Sequence, residues 1–146
     1  MEKKRNTVLQ ALVIVPVCAA ALIYLLAPVF NVPLFGIEKG FDNVSQMWTL
    51  GRYMEMTTFL LPLIGGIGAT LCTLSRQVGP HILALAFSML PVVFFVHYIH
   101  IMAKAMGGNL SGVAALFSWG IWASLLLSLV AFVAASIVVY KELKKK

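Results

Sequence analysis

Three basic side chains in one apolar run are the first candidates for chemistry. His97, His100 and Lys104 lie in the run Pro91 to Lys104, at spacings of three and four residues. On a helix these spacings place all three on one face. Such a face could bind an anionic group, with Glu55 as a possible internal counter-charge. The alternative is a plain structural role, in which both rings lie in the headgroup region of a membrane and bond to lipid, water or loops.

A metal or haem site is the third interpretation of the two histidines. Imidazole together with thioether sulfur suits Cu(I), and Met54 and Met56 could supply the sulfur from a preceding segment. Helical spacing turns Met102 away from the histidine face. Haem would need a second axial ligand from another helix, whereas the remaining histidine, His81, belongs to the same span. The histidines and the two preceding methionines are therefore weak metal candidates, and we expect no cofactor.

The remaining polar residues do not form an enzyme-like pattern. The chain has no Ser-His-Asp order, no paired-carboxylate site and no CxxC motif, and every carboxylate lies outside the long uncharged stretches. A proton-coupled pump usually needs an ionisable group within the membrane, and here only histidine could serve. We expect a protein that is not an enzyme.

The elements that must position these groups are membrane spans. Of the 146 residues, 61% are hydrophobic and 11% charged, against about 25% charged in soluble domains. The uncharged stretches 6–37, 56–75, 77–103 and 105–140 can each hold the ~20 residues of a transmembrane helix. We predict an all-α polytopic membrane protein with a single domain over residues 1–146. It would be a four-helix bundle with spans near 7–30, 57–75, 81–104 and 113–140, and an outer segment 31–56.

The formal charge of +6 is distributed as a topology signal and not as a nucleic-acid surface. With four spans, one side of the membrane carries a strong excess of cations, and the charges on the other side cancel. An excess of Lys and Arg marks the cytoplasmic side. Both termini should therefore be cytoplasmic, and the expected location is the plasma (inner) membrane of a bacterium. The cations on the first side are Lys3, Lys4, Arg5, Arg76, Lys141 and Lys144 to Lys146.

Stripes of small residues on two of the spans predict close helix packing. In lipid, small side chains let helix backbones approach, and van der Waals contact drives the association. Two stripes exceed what one small bundle needs, so we predict a homo-oligomer or, with more weight, a larger membrane-protein partner. The packing residues are Gly65, Gly66 and Ala69 on span two, and Gly120, Ser124 and Ser128 on span four.

The outer segment allows two structures. It begins as a loop around Pro33 and Gly36, after which apolar residues from Phe41 to Trp48 recur at helical spacing. One possibility is an amphipathic helix at the membrane interface, anchored by Trp48 and Tyr53. The other is a loop that packs over the helix ends.

We favour an accessory or transport-associated subunit of a larger membrane complex, with the lipid bilayer as its surroundings. One alternative is a membrane redox or metal- and haem-binding protein that uses His97 and His100. Another is a small homo-oligomeric channel or transporter. Its pore would be lined by the serines of span four and by Thr57, Thr58, Thr70 and Thr73.

Overall fold

The computed structural model describes residues 7–32, 36–75 and 78–144, and these are predominantly helical, as predicted. Among them, three helices are long and apolar enough to cross a membrane, and a pair bent by 54° would make a fourth span if counted as one. The charges at positions 2–5, 76, 145 and 146, on which much of the predicted orientation depends, lie outside the described residues. The helices are α1 (Thr7–Leu26), α2 (Gly40–Thr49), α3 (Tyr53–Phe59), α4 (Leu61–Leu74), α5 (Val78–Ala105), α6 (Leu110–Leu116) and α7 (Trp119–Leu143).

The first helix ends four residues earlier than the predicted limit of span one. It stops at Leu26 because proline disfavours the helical conformation in the residue before it, and Pro28 follows. From Pro28 the chain forms strand β1 (Pro28–Val32), which pairs antiparallel with β2 (Gly36–Lys39). The expected loop near Gly36 is thus one strand of a hairpin.

The second predicted span is bent where proline interrupts its hydrogen bonds. Pro62 has no N–H to donate, and its ring conflicts with a helical carbonyl four residues earlier. The chain therefore turns at Leu60, between α3 and α4. Span two, expected as one helix over 57–75, is in fact two helices at an angle.

The fourth predicted span is also divided. Phe117 adopts an extended backbone and bridges to Phe30 of β1, and the Ser118 N–H donates to the Val29 carbonyl at 2.9 Å. This contact with the hairpin separates α6 from α7. The single helix expected over 113–140 is therefore wrong: its first six residues belong to α6 and to the break, and α7 continues beyond Tyr140 to Leu143.

Four helices, α1, α4, α5 and α7, pack side by side, and we call them the helical core. Each contacts two neighbours: α1 and α5 both lie against α4 and α7. The hairpin, α2, α3 and α6 lie at one end, called here the hairpin end. The opposite end carries the connection between α4 and α5, where Pro80 lies in the first turn of α5 as its fixed φ allows. Residues 40–49 are helical, which favours the first of the two structures considered for this part of the outer segment.

Candidate functional site

The three basic residues of the sequence prediction lie on the outside of the helical core. We call His97, His100 and Lys104 the histidine stripe. All three are exposed and are carried by the single helix α5, so they share one face as their spacing predicted. In the described part of the chain, no hydrogen bond or ion pair engages their side chains.

The opposite side of α5 is filled by aromatic rings. Tyr98 stacks on Phe94 with ring centroids 5.9 Å apart, and Met102 packs against the same group. The methionine therefore faces away from the histidine stripe, as predicted. Rings from α1, the hairpin, α3 and the segment before α7 complete what we call the aromatic cluster, which occupies the hairpin end of the core. Its members are Tyr24, Phe30, Phe59, Phe94, Phe95, Tyr98 and Phe117.

Glu55, the proposed counter-charge, has a different partner. Its carboxylate forms an ion pair with the guanidinium of Arg52, three residues earlier in the chain. Both side chains are about half exposed (46% and 55%), so this is a solvated surface pair. The structure does not join Glu55 to the histidine stripe by a hydrogen bond or an ion pair among the described residues.

The weak metal candidates are carried by two different helices, α3 for the methionines and α5 for the histidines. Met54 is 86% exposed, and Met56 is partly buried on the same short helix, α3. Within the described ranges, no three side chains of His, Cys, Asp or Glu are close enough to hold a metal ion together. Cys18 and Cys72 are free thiols, and the Cys18 sulfur lies 3.3 Å from the Thr70 hydroxyl.

The small-residue stripe of span two is used inside the chain. Gly65 faces α5 so closely that an added Cβ would lie 2.6 Å from Cδ of Pro91. Gly66 faces α1, where an added Cβ would lie 3.3 Å from Cβ of Ala21. Ala69 is fully buried between the same helices. In the structure these small residues therefore pack against helices of the same chain.

The stripe of span four is likewise internal. Gly120 lies against the carbonyl of Pro28, leaving no room for a side chain. The Ser124 hydroxyl donates to the Ala20 carbonyl of α1 at 3.0 Å, and the Ser128 hydroxyl donates to the Ser124 carbonyl at 2.7 Å. Both serines are fully buried. Neither stripe is therefore left to support the predicted partner or oligomer.

Most of the hydroxyls predicted to line a channel donate to backbone carbonyls instead, and buried Thr73 is the exception. Thr57 and Thr58 are exposed and donate to carbonyls four residues earlier, and Thr70 donates to the Gly66 carbonyl at 2.8 Å. Ser124 and Ser128 of α7 donate to the carbonyls of Ala20 and Ser124, as given above. These groups do not converge on a common polar lining.

A small polar group at the end opposite the hairpin was missed by the sequence reasoning. The Gln10 amide donates to the Thr73 carbonyl at 3.2 Å, and buried His81 places Nε2 3.0 Å from the Ser75 carbonyl. A carbonyl only accepts, so Nε2 carries the proton and Nδ1 is an acceptor in the neutral ring. Among the described residues, the Nδ1 atom and the Thr73 hydroxyl have no hydrogen-bond partner. Gln10 is the one sequence signal for this group, as an amide near the start of an apolar span.

Comparison with known proteins adds no family. The chain matches no protein-family model, and no curated protein or solved structure shows significant similarity to it. A function must therefore be argued from the geometry of the described residues.

Proposed function

We propose that this protein is a non-enzymatic integral membrane protein that acts as an accessory subunit by binding a larger membrane-protein partner. The observation that carries the proposal is the distribution of polar groups. The interior of the helical core is filled by the aromatic cluster and by close contacts of small residues, whereas the histidine stripe faces outward. Groups on the outer surface favour binding over conversion of a substrate.

The proposed arrangement in the membrane is a four-span bundle, with α3 and α4 together forming the second span. With its 28 residues, α5 would be about 42 Å long at 1.5 Å per residue, which matches the ~40–45 Å of a bilayer with its headgroups. The distribution of Lys and Arg supports cytoplasmic termini and a bacterial plasma membrane. The hairpin end would then face outward.

At that outer end, α2 and the start of α3 would lie at the lipid interface. Trp48 and Tyr53 are 63% and 56% exposed, and their rings meet edge to face at 5.5 Å. Exposed aromatic side chains are typical anchors in the headgroup region. This supports the bilayer as one partner of the outer segment.

The rival functions have less geometric support. A pore within one copy would need polar side chains on a common wall, but most of the candidate hydroxyls donate to backbone carbonyls. A copper site would need thioethers near the imidazoles, but the candidates Met54 and Met56 lie on α3, a different helix from the histidines, and Met54 is 86% exposed. Neither class gains a specific observation in its favour.

The test is to cross-link the tagged protein in intact native membranes, extract it in mild detergent, and identify what is bound. We expect an assembly that contains a second, larger membrane protein at fixed stoichiometry. A visible spectrum and metal analysis of the same sample check the redox alternative, for which we expect no Soret band and no copper. The proposal is wrong if the protein is monomeric before extraction, or if the purified chain turns over a substrate alone.

A further inference from the structure

We infer that the hairpin end carries a binding site for an organic ammonium group, with the Glu38 carboxylate as its counter-charge and the Tyr98 ring beside it. This inference goes beyond the accessory function and does not depend on it. It is carried by the direction of Glu38, by the lack of a partner for its carboxylate, and by a second unpartnered oxygen atom in the aromatic cluster.

Strand pairing directs Glu38 towards the aromatic cluster. Glu38 lies directly opposite Phe30 in the register of β1 and β2. Directly opposite residues of an antiparallel pair project from the same face, with Cβ atoms about 5 Å apart. Phe30 is 4% exposed, and its ring centroid lies 5.2 Å from that of Tyr98. The Glu38 side chain is therefore on the face of the hairpin that covers the aromatic rings.

The Glu38 carboxylate has no cation beside it. It is partly buried and close enough to Tyr98 to interact with it electrostatically. Within the described ranges, no hydrogen bond or ion pair engages this carboxylate. Lys39 projects from the opposite face of the strand, because successive side chains alternate, and Arg52 is paired with Glu55. A partly buried negative charge is thus left next to aromatic rings.

The second oxygen atom belongs to Tyr24. This residue is fully buried, and its hydroxyl has no hydrogen-bond partner in the described part of the chain. Gly40 follows Glu38 by two residues, and a Cβ added there would lie 2.8 Å from Cζ of Tyr24, the atom that carries the hydroxyl. The hydroxyl therefore lies where the aromatic cluster meets the end of β2. Buried polar groups are normally hydrogen-bonded, so this oxygen can accept a hydrogen bond from a ligand.

An organic ammonium group matches these surroundings. Its charge complements the Glu38 carboxylate, its N–H groups can donate to oxygen atoms, and the faces of aromatic rings attract cations. An anion would be repelled by Glu38, and a neutral apolar ligand would leave the carboxylate unpaired. The group has two possible sources, because the hairpin end would face outward: the ethanolamine headgroup of a phospholipid, or a free amine in the outer medium.

The experiment titrates the full chain with butylammonium as the probe. The protein is purified in dodecyl maltoside, which has no ammonium group, and binding is followed by saturation-transfer NMR of the probe. We expect saturable binding of butylammonium and none of its neutral analogue 1-butanol. Glu38→Gln should weaken binding about 10- to 100-fold, because it removes a charged hydrogen-bond partner. The matched control Glu55→Gln removes an acid of the same end that is already paired with Arg52, and it should leave the affinity unchanged.

Tyr98→Phe is a second test that keeps the ring and alters no charge. Loss of the hydroxyl should weaken butylammonium binding about 2- to 10-fold. Phosphatidylethanolamine added to the micelles identifies the source of the ammonium group. If the headgroup is the ligand, this lipid competes with butylammonium, whereas dioleoylglycerol, which has no ammonium group, does not. If neither lipid competes, the site takes a free amine.

Two results would overturn the inference. One is the absence of saturable butylammonium binding by the wild-type protein in lipid-free micelles. The other is equal affinity of Glu38→Gln and Glu55→Gln, or binding of 1-butanol as tight as that of butylammonium, since the charge would then have no role. Neither result bears on the accessory function, which the cross-linked native assembly tests separately.

Discussion

A single methyl group at Gly65 tests whether the small-residue stripe of α4 packs within the chain. In Gly65→Ala, the new Cβ would lie 2.6 Å from Cδ of Pro91 and 2.7 Å from the carbonyl oxygen of Phe87. Both neighbours belong to the backbone or ring framework of α5 and cannot swing away as a flexible side chain would. The helices must therefore separate, and the tight packing along α4 and α5 is lost.

Two opposing contributions determine how much Gly65→Ala changes the free energy of unfolding. Overpacking a well-filled interior typically costs about 1–3 kcal/mol. Alanine in place of glycine within a helix returns roughly 0.5–1 kcal/mol. The net expectation is a loss of about 1–2 kcal/mol in the free energy of unfolding. Gly65→Leu, with a far larger side chain, should prevent the native packing while leaving an apolar helix that still inserts.

Reversible unfolding in mixed micelles of mild detergent and SDS, followed by circular dichroism, measures this difference. Two control substitutions, Gly66→Ala and Gly79→Ala, are compared with Gly65→Ala. At Gly66 an added Cβ would lie 3.3 Å from Ala21 Cβ, a contact that a shift of a few tenths of an ångström relieves, so Gly66→Ala should cost less. At Gly79 an added Cβ meets no described atom within 4 Å outside its own turn of helix, so Gly79→Ala should be close to neutral. If Gly65→Ala unfolds at the same SDS fraction as Gly79→Ala, the proposed contact between α4 and α5 does not exist.

Two further predictions use the same unfolding assay. Ser124→Ala removes the hydrogen bond to the Ala20 carbonyl of α1 and should cost about 0.6 kcal/mol, up to ~1.7. Ser136→Ala, which loses only a bond within α7, should cost less, and equal losses would refute an interhelical role for Ser124. Tyr24→Phe removes a buried hydroxyl that has no hydrogen-bond partner in the described part of the chain, so it should be neutral or stabilising by up to about 1–3 kcal/mol. A clear destabilisation would mean that this hydroxyl does have a partner.

The sequence predicted which segments are helical better than it predicted where they break. Uncharged length and apolar composition are enough to mark α1, α5 and α7 as candidate spans. The sequence also contains a signal for the bend at Leu60, although a single span was predicted over 57–75. Pro62, the second residue of α4, has no N–H and removes a hydrogen bond. The break at Phe117 has no such signal, since it depends on pairing with Phe30, 87 residues earlier in the chain. Such long-range strand contacts leave no local periodicity.

The sequence predicted that the residues of the histidine stripe share one face of α5, but it did not predict that this face lies on the outside of the helical core. The spacing of His97, His100 and Lys104 fixes their common side of α5 from the sequence alone. Whether that side looks inward or outward depends on the opposite face, where Phe94, Phe95 and Tyr98 join rings from four other segments. Aromatic residues are equally acceptable against lipid and against protein, so their presence in the sequence does not decide between the two.

The small-residue stripes illustrate the same ambiguity, and it changes where a partner should be sought. In a bilayer both the lipid and the neighbouring helices are apolar, so glycine and serine indicate only that some backbone comes close. Here that backbone is α5 for Gly65 and α1 for Ser124, both within the same chain. The stripes therefore lose their value as evidence for a partner. The case for a second protein therefore rests on the exposed histidine stripe and not on the glycines.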